Sequence, residues 1–131
     1  MPALALDKNE MIEVMDRMAE RTFEMDFTWD WPAGVAFYGV SRALEAGCDS
    51  RYLDRLVAWV DSKLEEGLPP WTVNSVSIGH CLIALYRKTE NETYLATAIE
   101  MAEYLKHHAP RFADGVFQHT VSQNYQFPEQ A

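Results

Sequence analysis

The sequence predicts an all-α protein made of stacked helical hairpins. Three observations carry this expectation. A hairpin pattern runs from Trp31 through Gly34, Tyr38, Ala46, Tyr52 and Leu53 to Leu68, and again from Asn74 through Gly79, Tyr86, Tyr94 and Leu95 to Pro110. The pair Tyr52-Leu53 returns 42 residues later as Tyr94-Leu95. Apolar residues recur at helical spacing from Met11 to Leu105. A repeat of this length marks stacked helix pairs, each unable to bury its apolar face without a neighbour. Three such units fill the 131 residues, which are read as one helical domain, 1–131.

Asp7, three residues before Glu10, has capping-box spacing and starts the first helix. Met11, Met15, Met18 and Thr22 follow at helical intervals, and the helix fades near Met25. Phe27 to Trp31 reads as a loop, and Pro32 suits the first position of the second helix. Gly34, Ala36, Gly39 and Ala43 allow close helix approach, so this is an inner helix. Gly47 is its stop, and Asp49 or Ser50 caps the third helix. That helix, Arg51 to Glu66, puts Tyr52, Leu53, Leu56, Val57, Trp59, Val60 and Leu64 on one side and charges on the other, as an outer helix should. Gly67-Leu68-Pro69-Pro70 ends it. Thr72 or Asn74 opens a fourth helix over Ser75 to Lys88. A fifth, Glu92 to His108, is amphipathic and closed by Pro110. Val116 to Thr120 reads as a short strand or extended turn, and the polar, aromatic tail from Gln123 to Ala131 as a loop.

Composition narrows the function. Hydrophobic residues at 48% and charged residues at 24% suit a globular core. The net charge of −9 and the lack of any Lys/Arg cluster argue against nucleic acid. The acidity is read as solvated outer helix faces. Cys48 and Cys81 have no CxxC partner, so neither a disulfide frame nor a zinc site is expected, and a reducing compartment is. Met1 to Leu6 lacks the basic start and long apolar core of a signal peptide, and no run reaches membrane-span length. No cofactor and no metal is expected.

The loops opening the inner helices carry Trp29, Trp31, Asn74 and His119, and polar and aromatic residues at one end of such an array form a ligand site. Each has a plainer alternative. Trp31 and Tyr38 are either core aromatics or platforms for the apolar face of a sugar. Asn74 is a helix cap, a ligand contact or both. His119 is a hydrogen-bonded loop histidine or a substrate contact. His80, inside an inner helix, reads as a satisfied buried polar group. His107 and His108 suit the negative end of the fifth helix. Asp26 and Asp30 are the carboxylates near the aromatic loop, and Asp30 either holds a ligand hydroxyl or, more plainly, serves a turn or a cap.

The run Trp29-Asp30-Trp31-Pro32-Ala33-Gly34-Val35-Ala36-Phe37-Tyr38-Gly39-Val40 resembles the first inner helix of glycoside hydrolase family 105, the unsaturated rhamnogalacturonyl hydrolases related to the family 88 unsaturated glucuronyl hydrolases. Leu68-Pro69-Pro70 with Thr72-Val73-Asn74-Ser75 resembles the start of that family's second inner helix. Leu85-Tyr86-Arg87-Lys88-Thr89 with Tyr94-Leu95 is similar to its Leu-Tyr-Glu-x-Thr-Gly-Asp-x-x-Tyr-Leu turn, with Asn91 near the place of Gly-Asp. Gly115-Val116-Phe117-Gln118-His119 is similar to its Gly-Gly-Phe-x-His segment. The likeness spans about residues 28 to 131.

The resemblance implies the N-terminal third of an (α/α)6 barrel, a toroid of six helical hairpins. It implies a cytoplasmic hydrolase of pectin-derived oligosaccharides whose non-reducing end is a Δ4,5-unsaturated uronic acid. In that family an Asp gives and takes one proton while water adds across the vinyl ether, after which the ring opens and the glycosidic bond is lost. This differs from two-carboxylate glycosidases. It implies substrate contacts at Trp31, Tyr38, Asn74 and His119. Many members have Asp where this chain has Asn74, although one branch has Asn. Family members place the acid/base Asp shortly after a Gln-rich loop, and this sequence reaches Gln130-Ala131 before one appears. The acid/base is therefore expected outside residues 1–131, with no turnover by these residues alone. Two open flanks predict self-association. Two alternatives remain: a fragment of an N-acylglucosamine 2-epimerase-like sugar epimerase, or a helical-repeat interaction module without catalysis.

Overall fold

Most of the helices begin where a short polar side chain can bind otherwise unpaired backbone N–H groups. The computed structural model describes residues 5–119. Helix α1, Lys8–Phe23, starts at Asp7, whose carboxylate accepts from the Glu10 N–H at 2.8 Å. Helix α2, Trp31–Ala46, is capped by Asp30, which accepts from the Trp31 N–H at 2.8 Å. It ends at Gly47, whose φ of 108° is the left-handed geometry a glycine adopts without strain. Helix α3 is Arg51–Glu66. Ser50 holds its cap position without a side-chain bond, and Asp49 accepts from the Arg51 N–H at 2.9 Å instead. Helix α5, Glu92–His107, is capped by Asn91 through the Thr93 N–H.

The fourth helix departs from expectation. A separate 3-10 turn, Ser75–Ile78, precedes α4, Gly79–Thr89. Its opening is held by Thr72, whose hydroxyl accepts from the N–H groups of Asn74 at 3.2 Å and Ser75 at 3.1 Å. Asn74 makes no side-chain cap bond. Its amide is thus not used for capping, because Thr72 stands two residues upstream at the right distance to do that work.

Helix α2 is the centre of the structure, packing on α1, α3, the 3-10 turn and α4. Phe37 sits among Phe23, Phe27 and Trp59, with ring centroids 5.6, 5.5 and 4.6 Å away. Leu56 and Val60 of α3, Leu82 and Leu85 of α4, and Tyr94 and Met101 of α5 complete the core. Burying each such side chain favours folding by about 1.5–3 kcal/mol. The expected inner helix is therefore inner, although of its small residues Gly34 makes the close approach while Ala36, Gly39 and Ala43 line an open groove. At Gly34 an added Cβ would lie 2.7 Å from Ser77 Cβ and 3.1 Å from the Ser77 backbone carbon. Bare backbone lets α2 and the 3-10 turn touch.

The outer helices carry the 42-residue repeat in physical form. The Tyr52 hydroxyl on α3 donates back to the Asp16 carbonyl on α1 at 2.9 Å. The Tyr94 hydroxyl on α5 donates back to Asp61 on α3 at 2.6 Å. Burial and this carboxylate push the Tyr94 hydroxyl up to about 12. Beside Tyr52, the Arg55 guanidinium bonds Glu20 at 2.8 Å and lowers its carboxyl below the usual range. Between α1 and α2 an open apolar groove of about 550 Å3 is lined by residues including Met15, Met18, Val35, Gly39 and Ala46.

After α5 the short strand or extended turn expected over Val116 to Thr120 is, in its described part, a turn closed by one antiparallel bridge, Arg111 to Phe117, with Gly115 at φ 90°. Arg111 holds this turn by donating to the Gly115 and Leu105 carbonyls and lying 3.9 Å over the Phe117 ring. Thr120 and the loop expected from Gln123 to Ala131 lie outside the described residues. Among the described residues no helix is long and apolar enough to cross a membrane.

Candidate functional site at the shared end of the inner helices

The two loops that open α2 and the 3-10 turn are stitched together. The indole of Trp29 is buried, stacks on Trp59 with ring planes 5° apart, and donates to the Ser75 carbonyl at 2.9 Å. Trp29 is thus a structural pin and not a sugar platform. It is spent on the core because a buried indole N–H needs an acceptor, and Ser75 supplies one. By this pin the residues on either side, Trp31 and Asn74, are brought to one rim. Trp31 is the first residue of α2 and not part of the loop, and 54% of its surface is exposed. Asn74 is half-buried.

From that rim the inner helices descend side by side in one direction. Gly34 meets Ser77, and the Tyr38 ring meets His80 edge-on at 5.7 Å. Tyr38 lies seven residues into α2 from Trp31, about 10 Å along the axis. The residue is 49% exposed, so it is not a core aromatic. His80 is also exposed, against the expectation of a buried, satisfied imidazole. It lies between two buried regions, Ser75–Ile78 before it and Cys81-Leu82 after it, and sequence spacing alone does not separate the open side of an inner helix from its packed sides. The signal that finds it is the repeat, which sets residue 80 opposite residue 38 once the two copies are aligned.

Two residues, Glu90 and Asn91, join α4 to α5, and so short a link folds α5 back antiparallel. The end of α5 therefore returns to the end where the 3-10 turn begins. His119 follows the Arg111–Phe117 bridge there and is exposed. The topology brings Trp31, Asn74 and the His119 segment to the same end, with Tyr38 deeper along α2. Asp30 is committed to its cap. Burial pushes the Cys81 thiol up to about 12 and raises Cys48 as well, so neither is a ready nucleophile. His107 pairs with Glu103 at 3.3 Å, on the outer helix. Among the described residues no cluster of His, Cys, Asp or Glu is arranged to hold a metal ion.

Paired inner helices backed by outer helices make a partial (α/α) toroid. The sequence model described as Glycosyl Hydrolase Family 88 matches residues 6–131, and the chain belongs to this family. It is 54% identical, over 132 aligned residues, to the unsaturated rhamnogalacturonyl hydrolase YesR of Bacillus subtilis (strain 168). That match covers 100% of this chain and 38% of YesR. A crystal structure of a possible member of the GH105 family from Klebsiella pneumoniae subsp. pneumoniae MGH 78578 shares the fold, with a TM-score of 0.77 at 20% identity. It is matched over 94% of this chain and 38% of its own. The family match sets aside the sugar-epimerase alternative.

Proposed function

We propose that this chain forms the first wall of a cleft that binds oligosaccharides ending in a Δ4,5-unsaturated uronic acid, within a hydrolase that hydrates that double bond. The observation that supports the reading is the Trp29–Ser75 pin, which ties the chain two residues before Trp31 to the residue after Asn74. Identity of 54% to a named unsaturated rhamnogalacturonyl hydrolase supports the substrate class. In this reading Trp31 and Tyr38 meet the C–H faces of the sugar, and Asn74 and His119 hydrogen-bond its oxygens. Asn74 orients a hydroxyl or a water but does not carry a proton, because an amide does not titrate near neutral pH. The proton is assigned to a carboxyl outside these four residues. A cytoplasmic setting is part of the proposal and is supported by two free, buried cysteines, Cys48 and Cys81.

The binding test uses an unsaturated rhamnogalacturonan disaccharide titrated into the 131-residue chain, followed by tryptophan fluorescence and calorimetry. Trp31→Ala is expected to weaken binding about tenfold, the usual scale for truncating an aromatic anchor. Equal affinity for wild type and variant would remove Trp31 from the site.

The apolar groove between α1 and α2 bears on assembly. Exposed Met18 and Val35 border it. Apolar surface of this kind favours pairing, and we propose that the chain self-associates through such open flanks. Sedimentation velocity at rising concentration should show dimers or larger species. A monodisperse monomer at all concentrations counts against it.

A further inference from the structure

We infer that His80 is a sugar-binding residue, forming with Tyr38 a second subsite deeper in the cleft than the Trp31–Asn74 rim. The inference rests on the oligosaccharide reading above and adds to it a residue and a position. Three observations carry it. His80 is exposed on the open side of an inner helix, which also bears Ile83 and Arg87, while Cys81, Leu82 and Leu85 are buried on its packed sides. Its ring meets Tyr38 edge-on, with centroids 5.7 Å apart and planes at 65°. Beyond that ring contact, the imidazole shows no hydrogen bond or ion pair to any described residue.

An imidazole is both a donor and an acceptor, and one left open on the exposed side of an inner helix offers both functions to a ligand. Tyr38 holds one edge of the pair and leaves about half of its own surface uncovered. An aromatic ring beside a hydrogen-bonding group matches a pyranose, which has an apolar C–H face and a polar rim of oxygens. From Trp31 to Tyr38 the rise is about 10 Å, longer than a single ring spans. The rim pair and the deeper pair therefore grip different rings of one oligosaccharide. The chemistry assigned to His80 is donation of an N–H to a sugar oxygen, either a carboxylate or a hydroxyl.

Two substitutions separate this role from packing. His80→Phe keeps a flat ring against Tyr38 and removes the donor. His80→Gln keeps a donor and removes the ring. Titration of each full 131-residue chain with an unsaturated rhamnogalacturonan disaccharide should show about three- to tenfold weaker binding for His80→Phe, the scale of one hydrogen bond. His80→Gln should stay near wild type. The methyl ester of the same sugar identifies the acceptor: if the wild type loses its advantage over His80→Phe on the ester, the partner is the carboxylate, and if the advantage persists it is a hydroxyl. In parallel, NMR follows the His80 ring and the Trp31 indole in the wild type. Both signals should move together on titration. A Trp31 signal that moves while His80 stays still, or a His80→Phe variant that binds like wild type, overturns the subsite and leaves the rim reading intact. A His80→Gln loss as large as that of His80→Phe overturns the donor role. If neither signal moves, the oligosaccharide reading and the subsite fall together.

Discussion

Gly34→Ala is expected to destabilise the chain by about 1–3 kcal/mol, the usual result of overpacking a closed contact. Its new Cβ would stand 2.7 Å from Ser77 Cβ and 3.1 Å from the Ser77 backbone carbon. The Ser77 hydroxyl can rotate away, but the Cβ and the backbone cannot. The Ser77 N–H is itself bonded to the Asn74 carbonyl at 3.1 Å, so α2 and the 3-10 turn must part. Parting them also strains the Trp29–Ser75 bond and loosens the rim. Gly39 in the same helix is the control. Nothing lies within 4 Å of a Cβ there, so Gly39→Ala should stabilise by about 0.5–1 kcal/mol through helix propensity alone. Urea unfolding measures both. Two substitutions of equal sign would show that the close approach at Gly34 does not hold the inner helices together.

The second large effect concerns chemistry, and it rests on the proposed substrate. The 131-residue chain is expected to give no measurable turnover of an unsaturated rhamnogalacturonan disaccharide, whereas a polypeptide extended to the full length of its relatives should release the uronic acid. The chain spans 38% of YesR, so most of the cleft wall that would position the sugar is not in it. At the rim, Asn74 cannot move a proton, and the Asp30 carboxylate is engaged with the Trp31 N–H. General acid–base catalysis alone contributes about 10²–10⁴-fold. The assay follows loss of the ultraviolet absorbance of the conjugated double bond. Clear turnover by residues 1–131 that Asp30→Asn abolishes and Asn74→Ala does not would overturn both the location of the acid/base and the role given to Asn74.

How much of this was legible in the sequence depended on whether local chemistry or tertiary contact decided the outcome. Helix α3, the start of α1 and the end of α2 could be read because Asp7, Gly47 and Gly67 set them locally, whereas the Asn91 cap of α5 was not read. The partial toroid could be read because a repeat of hairpins has few ways to bury its apolar faces. The 3-10 turn Ser75–Ile78 was hidden inside a helical pattern, since its tighter winding follows from Thr72, Ser75 and the approach of Gly34. Trp29 and Trp31 looked alike in sequence, two aromatics on either side of Asp30. Only the fold separates them, one pinned under Trp59 and one open at the rim. The same holds for His80. An inner helix is apolar on its packed sides, and which side meets the cleft is set by partners far along the chain. The family was legible through resemblance, which the family match bears out. The assignments of Trp31, Tyr38, Asn74 and His119 rest on placement, and the titration with Trp31→Ala tests the first of them.

The tyrosine bonds between successive outer helices have a consequence for how the chain assembles. Tyr52 reaches back 36 residues to Asp16, and Tyr94 reaches back 33 residues to Asp61. Every such link joins a hairpin to the one just before it and to nothing more distant. Contacts that are short along the chain close cheaply, so ordering can start in either hairpin and spread by neighbour-to-neighbour docking. The outer layer then behaves as a zipper whose teeth are phenol groups: each new hairpin finds its register by dropping one hydroxyl onto an acceptor that the previous hairpin has already set in place.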